Sequence, residues 1–80
     1  MPDNTEIERR VRELITELAK PGADIRGDTE LKSLDIDSLD LAEVAQTMAD
    51  EYGAEVPTAE LERVQRISEL ADLIGLHVRR

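Results

Sequence analysis

The sequence contains no cysteine, no tryptophan and no phenylalanine, and its one aromatic residue is Tyr52. Without cysteine, the chain forms neither a disulfide nor a thiolate metal site. Because large aromatic side chains are almost absent, we expect a core of aliphatic residues and methionine. No apolar run approaches the length of a membrane span, and the charged N-terminal segment does not resemble a signal peptide. These absences predict a cytoplasmic protein that does not enter a membrane.

Basic residues are scarce in the middle of the chain. Residues 21–62 hold twelve acidic residues and two basic ones, and the whole chain of 80 residues has a net charge of −9. An acidic surface of this kind repels nucleic acid and anionic membranes and attracts basic patches on partner proteins. The alternative is that the charge only keeps the protein soluble. A chain this short forms one small domain without a deep enzyme cleft, so we expect no catalytic activity.

Apolar residues recur with helical spacing in several segments, and no segment alternates as a strand would. The pattern predicts three main helices and one short one, over residues 5–19, 38–52, 68–75 and 58–62. The expected N-caps are Asn4 or Thr5, Asp37, Thr58 and Ser68. We expect one helical turn over 29–31, a helix end near Gly75 and a frayed tail over 77–80. The fold class is therefore a small all-α bundle that spans residues 1–80 as a single domain.

The second predicted helix has two different faces. Its core face carries the apolar residues Leu41, Val44, Ala45, Met48 and Tyr52. Its other face places Leu39 and Ala42 among polar and acidic residues, which are Asp40, Glu43, Gln46 and Asp50. Exposed apolar residues ringed by acids are typical of a docking face, although a single exposed leucine is also common without any function.

Ser38 is the expected first residue of this helix, directly after the cap Asp37. Its hydroxyl would lie at the positive end of the helix dipole, where an attached phosphate is stabilised. The plainer hypothesis is that Ser38 only caps the helix. The one histidine, His77, lies in the tail, so no Ser/His pair is evident. Leu39 and Leu41 occupy positions where a calcium loop has ligands, and the central glycine of such a loop is absent, so we expect no metal site at Asp35, Asp37 and Asp40.

Three features of the sequence resemble the acyl carrier protein family. They are the run Asp37-Ser38-Leu39-Asp40, the acidic amphipathic helix that it begins, and the later segment Tyr52-Gly53-Ala54-Glu55-Val56-Pro57. The resemblance covers about residues 7–76. It implies that Ser38 is esterified with 4′-phosphopantetheine from coenzyme A, whose thiol holds acyl intermediates as thioesters. It also implies that Asp37 helps a phosphopantetheinyl transferase to place its metal and cofactor. Partner enzymes would recognise the second helix through Leu39, Asp40, Ala42, Glu43, Gln46 and Asp50.

The chain departs from typical family members at several positions. Asp35 stands where fatty-acid carriers have glycine, and Leu41, Ala42 and Ala49 stand where they have Thr, Val and Glu. The glycine- and histidine-containing approach of peptidyl carriers is absent. Because Met1 begins the chain, we expect a free-standing, monomeric acyl carrier for polyketide or fatty-acid-type biosynthesis, served by an acyl-loading enzyme and a ketosynthase. The alternatives are an aminoacyl or peptidyl carrier, or a non-carrier acidic helical interaction module.

Overall fold

A computed structural model describes residues 3–78 of the chain. It contains the helices α1 (Asn4–Leu18), α2 (Ser38–Tyr52), α3 (Thr58–Leu61) and α4 (Ile67–His77), and a 3₁₀ turn over Leu31–Leu34. Within the described residues there is no β-strand, only one bridge between Glu30 and Arg66. The predicted all-α bundle of three long helices and one short helix is confirmed. No helix in residues 3–78 has the length and apolar character needed to cross a membrane.

The core is aliphatic, as the composition predicts. Helix α1 packs mainly against α4, and α2 closes the bundle. The largest fully buried side chains are Ile7, Val11, Ile15, Val44, Met48, Ile67, Leu70 and Ile74. No polar or charged residue within 3–78 is buried. The bundle is therefore held together by the burial of apolar surface, which stabilises it by about 25 cal/mol per Å².

Helix α1 begins one residue earlier than expected, because its cap is Asp3 and not Asn4 or Thr5. The Asp3 carboxylate accepts a hydrogen bond of 2.8 Å from the backbone N–H of Glu6. An aspartate in an extended conformation is well suited to satisfy this free N–H group. The helix ends at Leu18, and Gly22 then takes a positive φ of 85° in the following turn.

The expected caps of the two later helices are also wrong. The residue before α3 is Pro57, and Thr58 is already helical. Helix α4 begins at Ile67 after Arg66, whose backbone N–H donates to the Glu69 carboxylate at 2.9 Å. The backbone N–H of Ser68 donates to the carbonyl of Gly27 at 2.8 Å. Ser68 thus lies within the first turn of α4, and its backbone ties that turn to the long loop.

The C-terminal part of α4 is more ordered than the sequence suggests. Gly75 lies inside the helix, which continues to His77. The Nε2 atom of His77 lies 3.2 Å from Oε1 of Glu60 on α3. Val78 packs against the core, so the expected frayed tail is wrong for these two residues. The other two tail residues, Arg79 and Arg80, lie outside the described residues.

An ion pair joins α1 to α2. The Arg10 Nε and Nη2 atoms donate to the two carboxylate oxygens of Glu51 at 2.7 and 2.6 Å. This two-pronged hydrogen bonding holds the pKa of the Glu51 carboxyl below its usual value. The pair lies near the C-terminal end of α2, while the other end of that helix carries Ser38.

Candidate functional site

The N-terminus of α2 presents Ser38 to solvent. Asp37 is the N-cap, and its Oδ1 atom accepts the backbone N–H of Asp40 at 3.0 Å. The Asp40 carboxylate accepts the backbone N–H of Asp37 at 3.4 Å, which completes a reciprocal capping box. Because Asp37 satisfies the helix end, the exposed Ser38 hydroxyl is not needed as the cap.

A tight turn leads the chain into α2. The helical turn expected over 29–31 lies instead at Leu31–Leu34, because the Thr29 hydroxyl already accepts the backbone N–H of Arg26 in a separate turn. After Leu34, Asp35 adopts the left-handed conformation, with φ 59° and ψ 31°. Asp35 therefore takes a backbone conformation that favours glycine. The next residue, Ile36, is buried and anchors the turn beside Ser38.

We expect replacement of Asp35 with alanine to lower the free energy of unfolding by about 1 kcal/mol, since a β-carbon without a local hydrogen-bonding group disfavours this conformation. Glycine at the same position should not lower it, because glycine adopts positive φ without strain. The ion pair with Lys20, at 3.5 Å, is exposed and adds little. Urea denaturation of both variants measures the difference. If both variants lose the same free energy of unfolding, the effect comes from the Asp35 carboxylate and not from the backbone conformation.

An open groove of about 780 Å³ begins at Ser38. One wall comes from the loop and turn over residues 30–36, and the facing wall comes from Glu62, Val64 and Gln65 between α3 and α4. Leu31, Ile36 and Leu41 contribute apolar side chains, while the lining carries four acidic residues and one basic residue, Lys32. The facing wall was not predicted from the sequence, because no local pattern indicates which distant segment folds against the loop.

The predicted docking residues lie along the solvent side of α2. Leu39 is 76% exposed, which is unusual for a large apolar side chain. Four others are exposed as well, namely Ala42, Glu43, Gln46 and Asp50. Asp40 is less exposed than these residues: it is half-buried, and its carboxylate also takes part in the capping box. The helix therefore brings the predicted residues together on one side, beginning next to Ser38.

The surroundings of Ser38 suit a residue that is modified more than one that acts as a nucleophile. The one histidine of the sequence contacts Glu60 and does not line the groove, so it does not activate the Ser38 hydroxyl. The hydroxyl instead projects from the start of a helix of 15 residues, where backbone N–H groups and the helix dipole favour a phosphate ester.

Two comparisons with known proteins agree with this geometry. The family model described as a phosphopantetheine attachment site matches residues 9–74. The solution structure of the acetyl actinorhodin acyl carrier protein from Streptomyces coelicolor is similar, with a TM-score of 0.70 and 29% sequence identity. That match covers 95% of this chain and 90% of the other. Both comparisons span α2 and the two walls of the groove.

Proposed function

Since the chain belongs to the family of phosphopantetheine attachment sites, we propose that Ser38 is the residue that carries its 4′-phosphopantetheine. The observation that carries this proposal is the position of Ser38, exposed at the start of α2 with its own cap supplied by Asp37. A phosphodiester at this point gains from the helix dipole and the free N–H groups of the first turn. The phosphopantetheine supplies the thiol that this sequence lacks.

Asp37 contributes in two ways to this proposal. Its Oδ1 atom holds the backbone N–H of Asp40 and so fixes the helix start. The side chain is exposed, which leaves the second carboxylate oxygen accessible to the metal and cofactor of a phosphopantetheinyl transferase. In this role Asp37 both shapes the attachment point and helps the transferase to act on it.

The family membership and the similar structure support an acyl carrier, a class of protein that is generally not catalytic. We propose in addition that it serves polyketide or fatty-acid-type biosynthesis, and that it is non-catalytic and monomeric. The likeness to the acetyl form of an acyl carrier favours this over an aminoacyl or peptidyl carrier. Loading of the holo protein distinguishes the two kinds of carrier. An acyl carrier accepts an acyl group, whereas an aminoacyl or peptidyl carrier accepts an amino acid from an adenylating enzyme. Localisation in the cytoplasm stays a prediction.

Carrier proteins interact with phosphopantetheinyl transferases and with biosynthetic enzymes. We assign this contact to the exposed side of α2, which presents Leu39 and Ala42 beside Glu43, Gln46 and Asp50. An exposed leucine fills an apolar pocket on a partner, and the acids around it select a basic rim. Acyl-loading enzymes and ketosynthases with basic patches are the partners that fit such a surface.

We expect Leu39→Ala to raise the KM of a phosphopantetheinyl transferase for this protein about tenfold, as loss of an interface anchor does. Glu43→Gln should also raise this KM, because loss of the negative charge slows association with the transferase, and this effect should depend on salt. Leu76→Ala is the matched control, because Leu76 is 81% exposed but lies on α4. Steady-state kinetics, with circular dichroism to verify folding, tests both changes. An equal increase in KM for Leu39→Ala and Leu76→Ala would contradict the assignment of the partner contact to α2.

The attachment itself is tested by intact mass after incubation with coenzyme A, Mg²⁺ and a broad-specificity phosphopantetheinyl transferase. We expect a gain of one phosphopantetheine per chain. No gain from protein that is helical and folded would favour the alternative, a non-carrier interaction module whose acidic helix is a plain binding surface.

A further inference from the structure

The connection between α3 and α4 forms the wall of the groove that faces the loop. It runs over residues 62–66 and contributes Glu62, Val64 and Gln65 to the lining. The segment has no regular helix, and most of its side chains are exposed. Its conformation therefore depends on a few specific hydrogen bonds more than on buried apolar surface.

Glu69 provides two of those hydrogen bonds from the first turn of α4. Its Oε1 atom accepts the backbone N–H of Gln65 and the backbone N–H of Arg66, each at 2.9 Å. These donors, with Gln65 the stronger influence, hold the pKa of the Glu69 carboxyl below its usual value. The carboxylate is thus ionised and bound to the backbone of the groove wall.

The bond to Gln65 goes beyond what a helix cap requires. In a capping box the third helical residue accepts the N–H of the N-cap residue, which here is Arg66. Gln65 lies one residue before the cap, so its N–H is not one of the helix's own free donors. This second bond orients the connection and not the helix.

The same Gln65 residue joins the two walls. Its carbonyl accepts the backbone N–H of Leu31 at 2.8 Å, while its own N–H donates to Glu69. Leu31 is 3% exposed and contributes to the groove lining. The Gln65 carbonyl shares its peptide plane with the Arg66 N–H, and the Gln65 N–H belongs to the preceding plane, so Glu69 holds both peptide planes of Gln65. A rotation of either plane would disturb the wall, and the Glu69 carboxylate opposes that rotation.

We propose that Glu69 is a positioning residue for the phosphopantetheine arm, because it fixes the groove wall at Val64 and Gln65 against which the arm is held. This inference rests on the proposed attachment at Ser38. Glu69 itself does not line the groove, so it acts through the backbone of Gln65.

The test compares backbone amide chemical shifts of the apo and holo forms of ¹⁵N-labelled protein. In the wild type we expect loading to shift the amides of Leu31, Val64 and Gln65. In Glu69→Asp these three differences should fall at least twofold, while the difference at Leu39 stays. The shorter side chain keeps the negative charge at the start of α4 but no longer reaches Gln65.

Two further variants separate positioning from a structural role. Glu69→Gln retains an acceptor oxygen and should preserve most of the wild-type shift differences. Asp72→Asn removes a carboxylate from an exposed position of the same helix and should preserve all of them. Undiminished differences at Val64 and Gln65 in Glu69→Asp would overturn the proposal, as would their absence in the wild type. A wild type that gains no mass overturns the attachment itself, and the mass spectrum shows this separately.

Discussion

Replacing Ser38 with alanine abolishes the transfer of phosphopantetheine to this protein. The expected mass gain falls from one group per chain to none, because the acceptor oxygen is missing and the sequence offers no thiol in its place. The fold should survive, since Ser38 is exposed and Asp37 supplies the cap of α2. Circular dichroism and a melting curve on the same sample separate a lost acceptor from a lost fold.

Two other serines are the natural controls for this variant. Ser33 lies in the turn that precedes α2, and its hydroxyl donates to the carbonyl of Glu30 at 2.7 Å. Ser68 lies in the first turn of α4, also near a helix start. Ser33→Ala and Ser68→Ala should both load fully. A Ser38→Ala protein that still gains one group, or a Ser33→Ala protein that does not, would place the attachment elsewhere.

The part of the site that the sequence predicts well is local. Helix α2 spans the same residues that the periodicity indicates, because Asp37 begins it and Gly53, at a φ of 70°, ends it. Both signals act within one turn of the helix end. The face of α2 that carries Leu39 follows from the same periodicity, once Val44 and Met48 are assigned to the core.

The helix caps were predicted less well because several polar residues compete at each start. Asp3, Asn4 and Thr5 are consecutive, and the cap falls on the first of them. At α4, Ser68 is a good cap by residue type, but it is already helical, and its backbone N–H ties the first turn to the carbonyl of Gly27. That carbonyl is distant in sequence, so no local rule includes it.

The groove was not predicted, and the reason is physical. Its two walls come from residues 30–36 and 62–65, which are joined by hydrogen bonds such as that from Leu31 to Gln65. Neither wall has the periodicity of a helix or a strand. The role of Glu69 follows only when this pairing is known, because at the sequence level it is one more acid in the first turn of a helix.

The second large effect that we expect is on stability. Met48→Ala should lower the free energy of unfolding by about 2–4 kcal/mol, since Met48 is 0% exposed at the centre of the bundle. Val44→Ala should cost about 1–3 kcal/mol for the same reason. A domain of this size has a total of only about 4–12 kcal/mol, so Met48→Ala is expected to lower Tm by on the order of 10–25 °C.

The control for this prediction lies on the same helix. Leu39→Ala removes a side chain of comparable size from a position that is 76% exposed, so its cost should stay below about 0.5 kcal/mol. Urea denaturation at one pH measures all three variants. A large loss for Leu39→Ala with none for Met48→Ala would mean that the two faces of α2 are reversed. The expected order of destabilisation, largest for Met48→Ala and smallest for Leu39→Ala, instead separates the residues that hold α2 in the bundle from those that we propose for partner contact.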